Sequence, residues 1–506
     1  MKSKRLLGAL AAASAVLLAA PVAASAGTST DPAPGTPAYV LRDNQNIQDA
    51  YGRQTGPGGQ LDNPNYAPAL IQTGLPLNVG QLIQQAATPT RPAITPGNVF
   101  PGWNVGNPLR AGWEGKRGRR IPVAYTNRYG ALIRGDVFAP LPGAHDPYTG
   151  KKLRAPYPGV VITEGSVQGS EHMYWWLAED LAERGYVVLT YDVQGQGTSE
   201  TFPHENEQVN AVPFCNPFAP PQPVEMFGCP GAPAQQESNF IYGTEDALSF
   251  FLSTPKRRYA SKNSSDVKVD SFNPLWRKFN RKPDKRTDTP GRKKRIAIIG
   301  HSLGAAAISY VQGIDPRVEA AVALDKLSAA SSQIQSVPVK PVVPALGVQS
   351  EYGFNVGPYF LENGSSLTPQ PGAPNQGPDP KREQKTGFDG WRKAGVDTML
   401  VVPRASTHLE YTDIAYALPA SRYGQDFTSG YVQAWLDRYL KHRKGATKRL
   451  LGSGFNYLEP VGNGKWSPVA LDRAKQLSFY YCSGWDMHSR SGKRLLNTDV
   501  NGVGGC

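Results

Sequence analysis

The pentapeptide Gly300-His301-Ser302-Leu303-Gly304 is the stretch of this chain best suited to covalent chemistry. A serine hydroxyl is a weak nucleophile until a neighbouring base takes its proton, and a tight strand-to-helix turn exposes it to such a base. Residues 296–299, Ile-Ala-Ile-Ile, precede the turn and read as a strand buried on both faces. An alanine-rich segment follows and reads as a helix, whose positive end favours negative charge forming beside Ser302. Gly300 and Gly304 leave room where the backbone crosses itself and a Cβ would collide. The pattern also arises by chance as a tight structural turn with a bystander serine. The flanking strand and helix are what single this one out.

The base should be a histidine, and the chain has seven. His301 lies inside the turn, pointing beside Ser302 rather than at it. His442 ends a helix in a Lys-His-Arg-Lys run, and His488 sits in a cysteine-containing tail. His408 follows the last expected strand, 398–402, in a loop from which an imidazole can reach a strand-end serine. Two carboxylates could orient it. Asp325 ends the expected strand 318–324, and Glu351 follows the next one, 344–348. Both places can reach the ring.

These residues need a sheet to hold them. Residues 120–125 and 131–138 read as a hairpin about Asn127-Arg128-Tyr129-Gly130. The order strand 158–163, helix 174–184, strand 186–191 is a βαβ unit and implies a parallel sheet. A helix over 239–253 and an amphipathic helix over 427–442 complete the alternation. The expected fold class is α/β: a mostly parallel central sheet flanked by helices, with insertions at 202–237, 255–294 and 363–387. Residues 27–115, rich in Pro, Gly, Asn and Gln, either wrap the domain 116–444 or are partly disordered. Residues 445–506, with a strand-like 478–482, should form a small appendage.

The run Gly300-His-Ser-Leu-Gly, Ala323-Leu-Asp325, Ser350-Glu-Tyr352 and His408-Leu-Glu-Tyr-Thr-Asp413 resembles the platelet-activating-factor acetylhydrolase/dienelactone hydrolase branch of the α/β-hydrolases. The likeness spans about residues 120–440 and is strong at these motifs. It implies a serine ester hydrolase of lipase/esterase type with Ser302 as nucleophile, Asp325 as acid and His408 as base. Glu351 is the alternative acid, and otherwise a hydrogen-bonding carboxylate beside the site. The resemblance also implies an oxyanion hole from the backbone N–H groups of Leu303 and Ser166. The family shows His-Gly-x where this chain has Glu164-Gly165-Ser166, and an ionised Glu164 aimed at the hole would oppose an oxyanion. The expected substrates are carboxylic esters, lipid or short-chain. The alternatives are a peptidase or amidase on the same fold, and a binding protein that keeps a decayed hydrolase core.

Composition sets the surroundings. Lys2, Lys4 and Arg5, an apolar stretch to Ala20 and the Ala24-Ser25-Ala26 site make residues 1–26 an expected signal peptide, so the chain should be secreted. Cys215, Cys229, Cys482 and Cys506 then suggest two local disulfides, 215–229 and 482–506. The net charge is +13, and residues 255–295 hold fifteen Lys/Arg against four Asp. Such a run is first a solvated loop and otherwise a contact for an anionic surface; no nucleic-acid module surrounds it. No zinc spacing, calcium loop or dinucleotide fingerprint occurs, so neither metal nor cofactor is expected.

Overall fold

The computed structural model describes residues 32–88, 90, 106–166, 170–202, 233–262, 268–286, 289, 291–292, 294–329, 338–359, 377–413 and 419–506. The leader 1–26, Cys215, Cys229 and most of the first insertion lie outside them.

Twelve strands are described: β1 (Gly118–Thr126), β2 (Leu132–Pro140), β3 (Gly159–Thr163), β4 (Val187–Tyr191), β5 (Ile296–His301), β6 (Ala320–Leu324), β7 (Ala345–Val348), β8 (Thr398–Val401), β9 (Gly454–Gly462), β10 (Lys465–Asp472), β11 (Gly484–His488) and β12 (Arg494–Asn497). Ten of them form one sheet in the order β1-β2-β4-β3-β5-β6-β7-β8-β11-β12. From β4 to β8 every neighbouring pair is parallel. β1 and β2 pair antiparallel at one end, β11 and β12 at the other.

The central strands are apolar runs because both faces of the sheet are covered. Val160, Ile162, Ala297, Ile299 and Val322 pack with Trp176, Leu181, Phe427 and Trp435 from the helices Trp175–Glu183 and Gly424–Tyr439. Alternate residues Val161, Ile296, Ile298 and Ala321 face the helices Glu237–Phe251 and Leu303–Ile314. Each fully buried Ile or Val contributes roughly 1.5–3 kcal/mol. The helix after β3 and the helix after β5 therefore cover opposite faces. That divergence opens a crevice between these adjacent strands at their C-terminal ends, the usual ligand position in such sheets.

One region differs from the sequence reading, and the described part of the N-terminal segment follows the first of its two alternatives. The tail joins the main sheet: β11 pairs with β8, Gly484 opposite Leu400, and covers what would otherwise be an open edge. The strand-like residues 478–482 instead make a turn, because Ser478 Oγ accepts the N–H groups of Tyr480 and Tyr481 at 2.9 and 3.0 Å. Cys482 is bonded to Cys506. At the other end, Thr36 caps the helix Pro37–Asp49, with proline in its first turn, where a missing N–H costs nothing. A further helix runs over Leu75–Ala87. The N-terminal segment thus wraps the C-terminal ends of the strands, where Arg53 donates to the carbonyls of Glu410 and Thr412.

Candidate active site

The sheet ladder continues one residue past the strands and sets the site's register. Ser302 N–H donates to Leu324 O at 3.0 Å, Asp325 N–H to Val348 O at 2.9 Å, and Gln349 N–H to Val401 O at 2.8 Å. Ser302 is the last residue before the helix Leu303–Ile314 and has φ 54° and ψ −121°, a strained conformation for a residue with a Cβ. The glycines permit it. A Cβ on Gly300 would lie 2.2 Å from Gly304 O, and one on Gly304 2.3 Å from Glu164 O.

The turn lifts Ser302 Oγ to 2.9 Å from His408 Nε2, and His408 Nδ1 lies 2.6 Å from Asp325 Oδ2. A carboxylate accepts, so Nδ1 carries the imidazole proton and Nε2 is left to accept from the serine hydroxyl. Asp325 and His408 are both buried. Asp325 also accepts from Ser350 Oγ at 2.5 Å and from the Gln349 side chain. Burial alone would raise this carboxyl. The hydrogen bond and charge of His408, with the Ser350 hydroxyl, hold it below the ordinary carboxylate value.

Glu351 does not face His408. Its Oε2 accepts from Asn46 Nδ2 at 2.5 Å and Ala405 N–H at 2.6 Å, and its Oε1 from Ser478 Oγ at 2.6 Å. It joins the N-terminal helix, the approach to the His408 loop and the C-terminal tail.

Leu303 and Ser166 flank the nucleophile. Leu303 opens the helix, so its N–H has no acceptor one turn back. In the loop after β3, a Cβ on Gly165 would lie 3.1 Å from Ser302 Cβ, which sets Ser166 at the rim of the same crevice. Glu164 turns away from it. Its Oε1 accepts from Val193 N–H at 2.7 Å and Gln196 Nε2 at 2.8 Å, in the turn after β4. Burial, and then the charge of Asp192, push its pKa well up.

Tyr174 and His301 are parts of the site that residue patterns did not reveal. Tyr174 stands in an aromatic run that reads as plain core. Its hydroxyl accepts from Gly165 N–H at 2.9 Å and donates to His301 Nδ1 at 2.7 Å. His301 Nε2–H donates to the His408 carbonyl at 2.9 Å. Burial and the neighbouring His408 ring push the His301 pKa down to about 3, so it stays neutral and holds this tautomer. One buried chain of hydrogen bonds thereby ties the Gly165 loop to the His408 loop. Tyr174→Phe strands the Gly165 N–H and one ring nitrogen. The expected outcome is a loss of about 1–3 kcal/mol in a denaturant titration. Any turnover that depends on Ser302 should fall on the order of tenfold as the two loops lose register.

Three groups of side chains among the described residues have metal-ligating spacing, and none includes Ser302, His408 or Asp325. In two of them the protein's own cations already answer a carboxylate: Arg120 is 3.1 Å from Asp136, and Arg295 is 3.3 Å from Asp284. The third surrounds the Cys482–Cys506 disulfide.

No family model matches the chain, and no curated protein matches it. Among the described residues, no helix is long and apolar enough to cross a membrane.

Proposed function

We propose that the protein is a secreted serine hydrolase of the α/β-hydrolase type that cleaves carboxylic esters through an acyl-enzyme on Ser302. The observation that carries this reading is the row Ser302 Oγ, His408, Asp325, with links of 2.9 and 2.6 Å, placed after β5, β8 and β6 in the chain order Ser, Asp, His. The strained turn at Ser302 and the loop at Gly165–Ser166 beside it support the same reading.

In this mechanism Ser302 Oγ attacks the ester carbonyl as its proton passes to His408 Nε2. Asp325 stabilises the imidazolium and fixes its tautomer. The N–H groups of Leu303 and Ser166 receive the tetrahedral oxyanion, where each such donor is worth about 10²–10³ in rate. His408 then protonates the leaving alkoxide, and a water activated by the same imidazole releases the acid. Because the Glu164 carboxyl is turned toward the β4 turn, where it accepts from Val193 and Gln196, it is not aimed at the developing charge.

Export is part of the proposal and rests on the leader-like residues 1–26 together with the Cys482–Cys506 bond. The test is a fluorophosphonate probe. Stoichiometric labelling of Ser302 with loss of p-nitrophenyl acetate turnover is expected, and a chain that neither labels nor turns over the ester would overturn the reading.

A further inference from the structure

The helical run 66–87 buries Tyr66 and Leu70 at its start and is amphipathic in the inverted sense from residue 71 on. It turns Asn78, Gln81 and Gln85 inward, all buried, and leaves Ile71, Leu75, Val79 and Ile83 exposed at 61, 37, 51 and 64 %. The exposed four recur every fourth residue, so they form one stripe along the helix. Residues 63–90 contain no Asp, Glu, Lys or Arg.

The helix that carries the stripe is tied to the segment bearing Tyr174 of the candidate active site. On the inward face Gln81 Nε2 donates to His172 Nδ1 at 3.1 Å, and the His172 ring nitrogen also meets Ser170 Oγ at 2.8 Å. His172 belongs to the connection after β3 that begins with Gly165 and Ser166. The rest of the N-terminal wrap is also rich in exposed apolar side chains. Of the eleven large apolar side chains exposed among the described residues, seven fall between positions 41 and 83. Leu41, Tyr51 and Leu61 are the other three, and the half-exposed Phe354 sets its ring 4.5 Å from that of His408.

We propose that this uncharged apolar face docks the protein onto a lipid–water interface of neutral or zwitterionic lipid, delivering interfacial esters to Ser302. The substrate part of this proposal rests on the esterase reading; the docking does not. A polyanion or an anionic headgroup would find no charge on the stripe. A stripe about 18 Å long on a helix about 10–12 Å wide covers roughly 200 Å², well under the roughly 800 Å² per partner that a stable protein interface buries. A lipid surface requires no complementary partner, and an amphipathic helix lying in the interface binds in proportion to its apolar area.

The experiment is co-sedimentation of the purified chain with phosphatidylcholine vesicles at low and high salt, run beside a p-nitrophenyl acetate assay. The wild type and Ser302→Ala should bind the vesicles equally, with little response to salt. Val79→Gln/Ile83→Gln should weaken partitioning by on the order of tenfold per side chain. That variant should keep the wild-type rate on the water-soluble ester, which also reports its fold, and Ile71→Gln gives an independent check. Three results would overturn the proposal: no binding by the wild type, unchanged binding by both variants, or binding only to anionic vesicles and reversed by salt. A concentration-dependent dimer abolished by the same substitutions would overturn it as well, and assign the stripe to a second copy. If vesicles bind while ester turnover is absent in the wild type, the esterase reading falls and the docking surface stands.

Discussion

Ser302→Ala should lower kcat/KM on p-nitrophenyl acetate by about 10⁵–10⁶-fold, the scale lost when the nucleophile of a cooperative Ser-His-Asp unit is removed. The side chain lost is one oxygen on a half-buried residue at the head of a helix, and the turn is held by backbone bonds and glycine contacts that alanine retains. The thermal midpoint should therefore stay within a few degrees. Relief of the serine's interaction with His408 is the main local change. A variant that melts like the wild type and turns over ester at the wild-type rate would end the assignment. If both activity and folding collapse, Ser302→Cys separates the roles, since it preserves the shape and supplies a thiolate nucleophile.

The second large effect separates the two carboxylates. Asp325→Asn should lower kcat/KM by about 10⁴-fold, because an amide can donate to Nδ1 and so stabilise the wrong imidazole tautomer. Glu351→Gln should leave kcat within about tenfold. It weakens the pull on Asn46, Ala405 and Ser478 at a buried site, a change that a denaturant titration reads as roughly 1–3 kcal/mol. Acid pH separates them again. The Asp325 carboxyl is depressed on folding, so the stability it adds is present above its unfolded value near about 4 and is lost as pH falls through the lower folded value. Asp325→Asn should remove that part of the acid-side loss. A large kinetic defect in Glu351→Gln with a mild one in Asp325→Asn would exchange their roles.

The strands were legible in the sequence because a sheet covered on both faces leaves little room for polar residues. Runs such as Ile296–Ala297–Ile298–Ile299 can be little else. Asp325 and Glu351 could not be told apart on the same grounds. Each follows a strand, and what divides them is a pair of distant partners, Asn46 and Ser478, that no local pattern brings to mind. The N-terminal helices were hidden for a different reason. Along Leu75–Ala87 the polar Asn78, Gln81 and Gln85 face inward while Leu75, Val79 and Ile83 face outward, so a periodicity read as core against solvent gives the wrong sense. Tyr174 was concealed by its neighbours Trp175 and Trp176, among which a hydroxyl with two partners looks like one more ring.

Glu351 has one more consequence, for the life history of the molecule. Its carboxylate is gripped by a residue near the start of the chain and by one near its finish, and it grips the approach to His408 in turn. During synthesis the proximal half of that clamp is made long before the distal half. The loop bearing the imidazole is thus fully braced only once translation has passed Ser478, and a protease nick that frees either terminus would loosen that brace without touching a reacting atom.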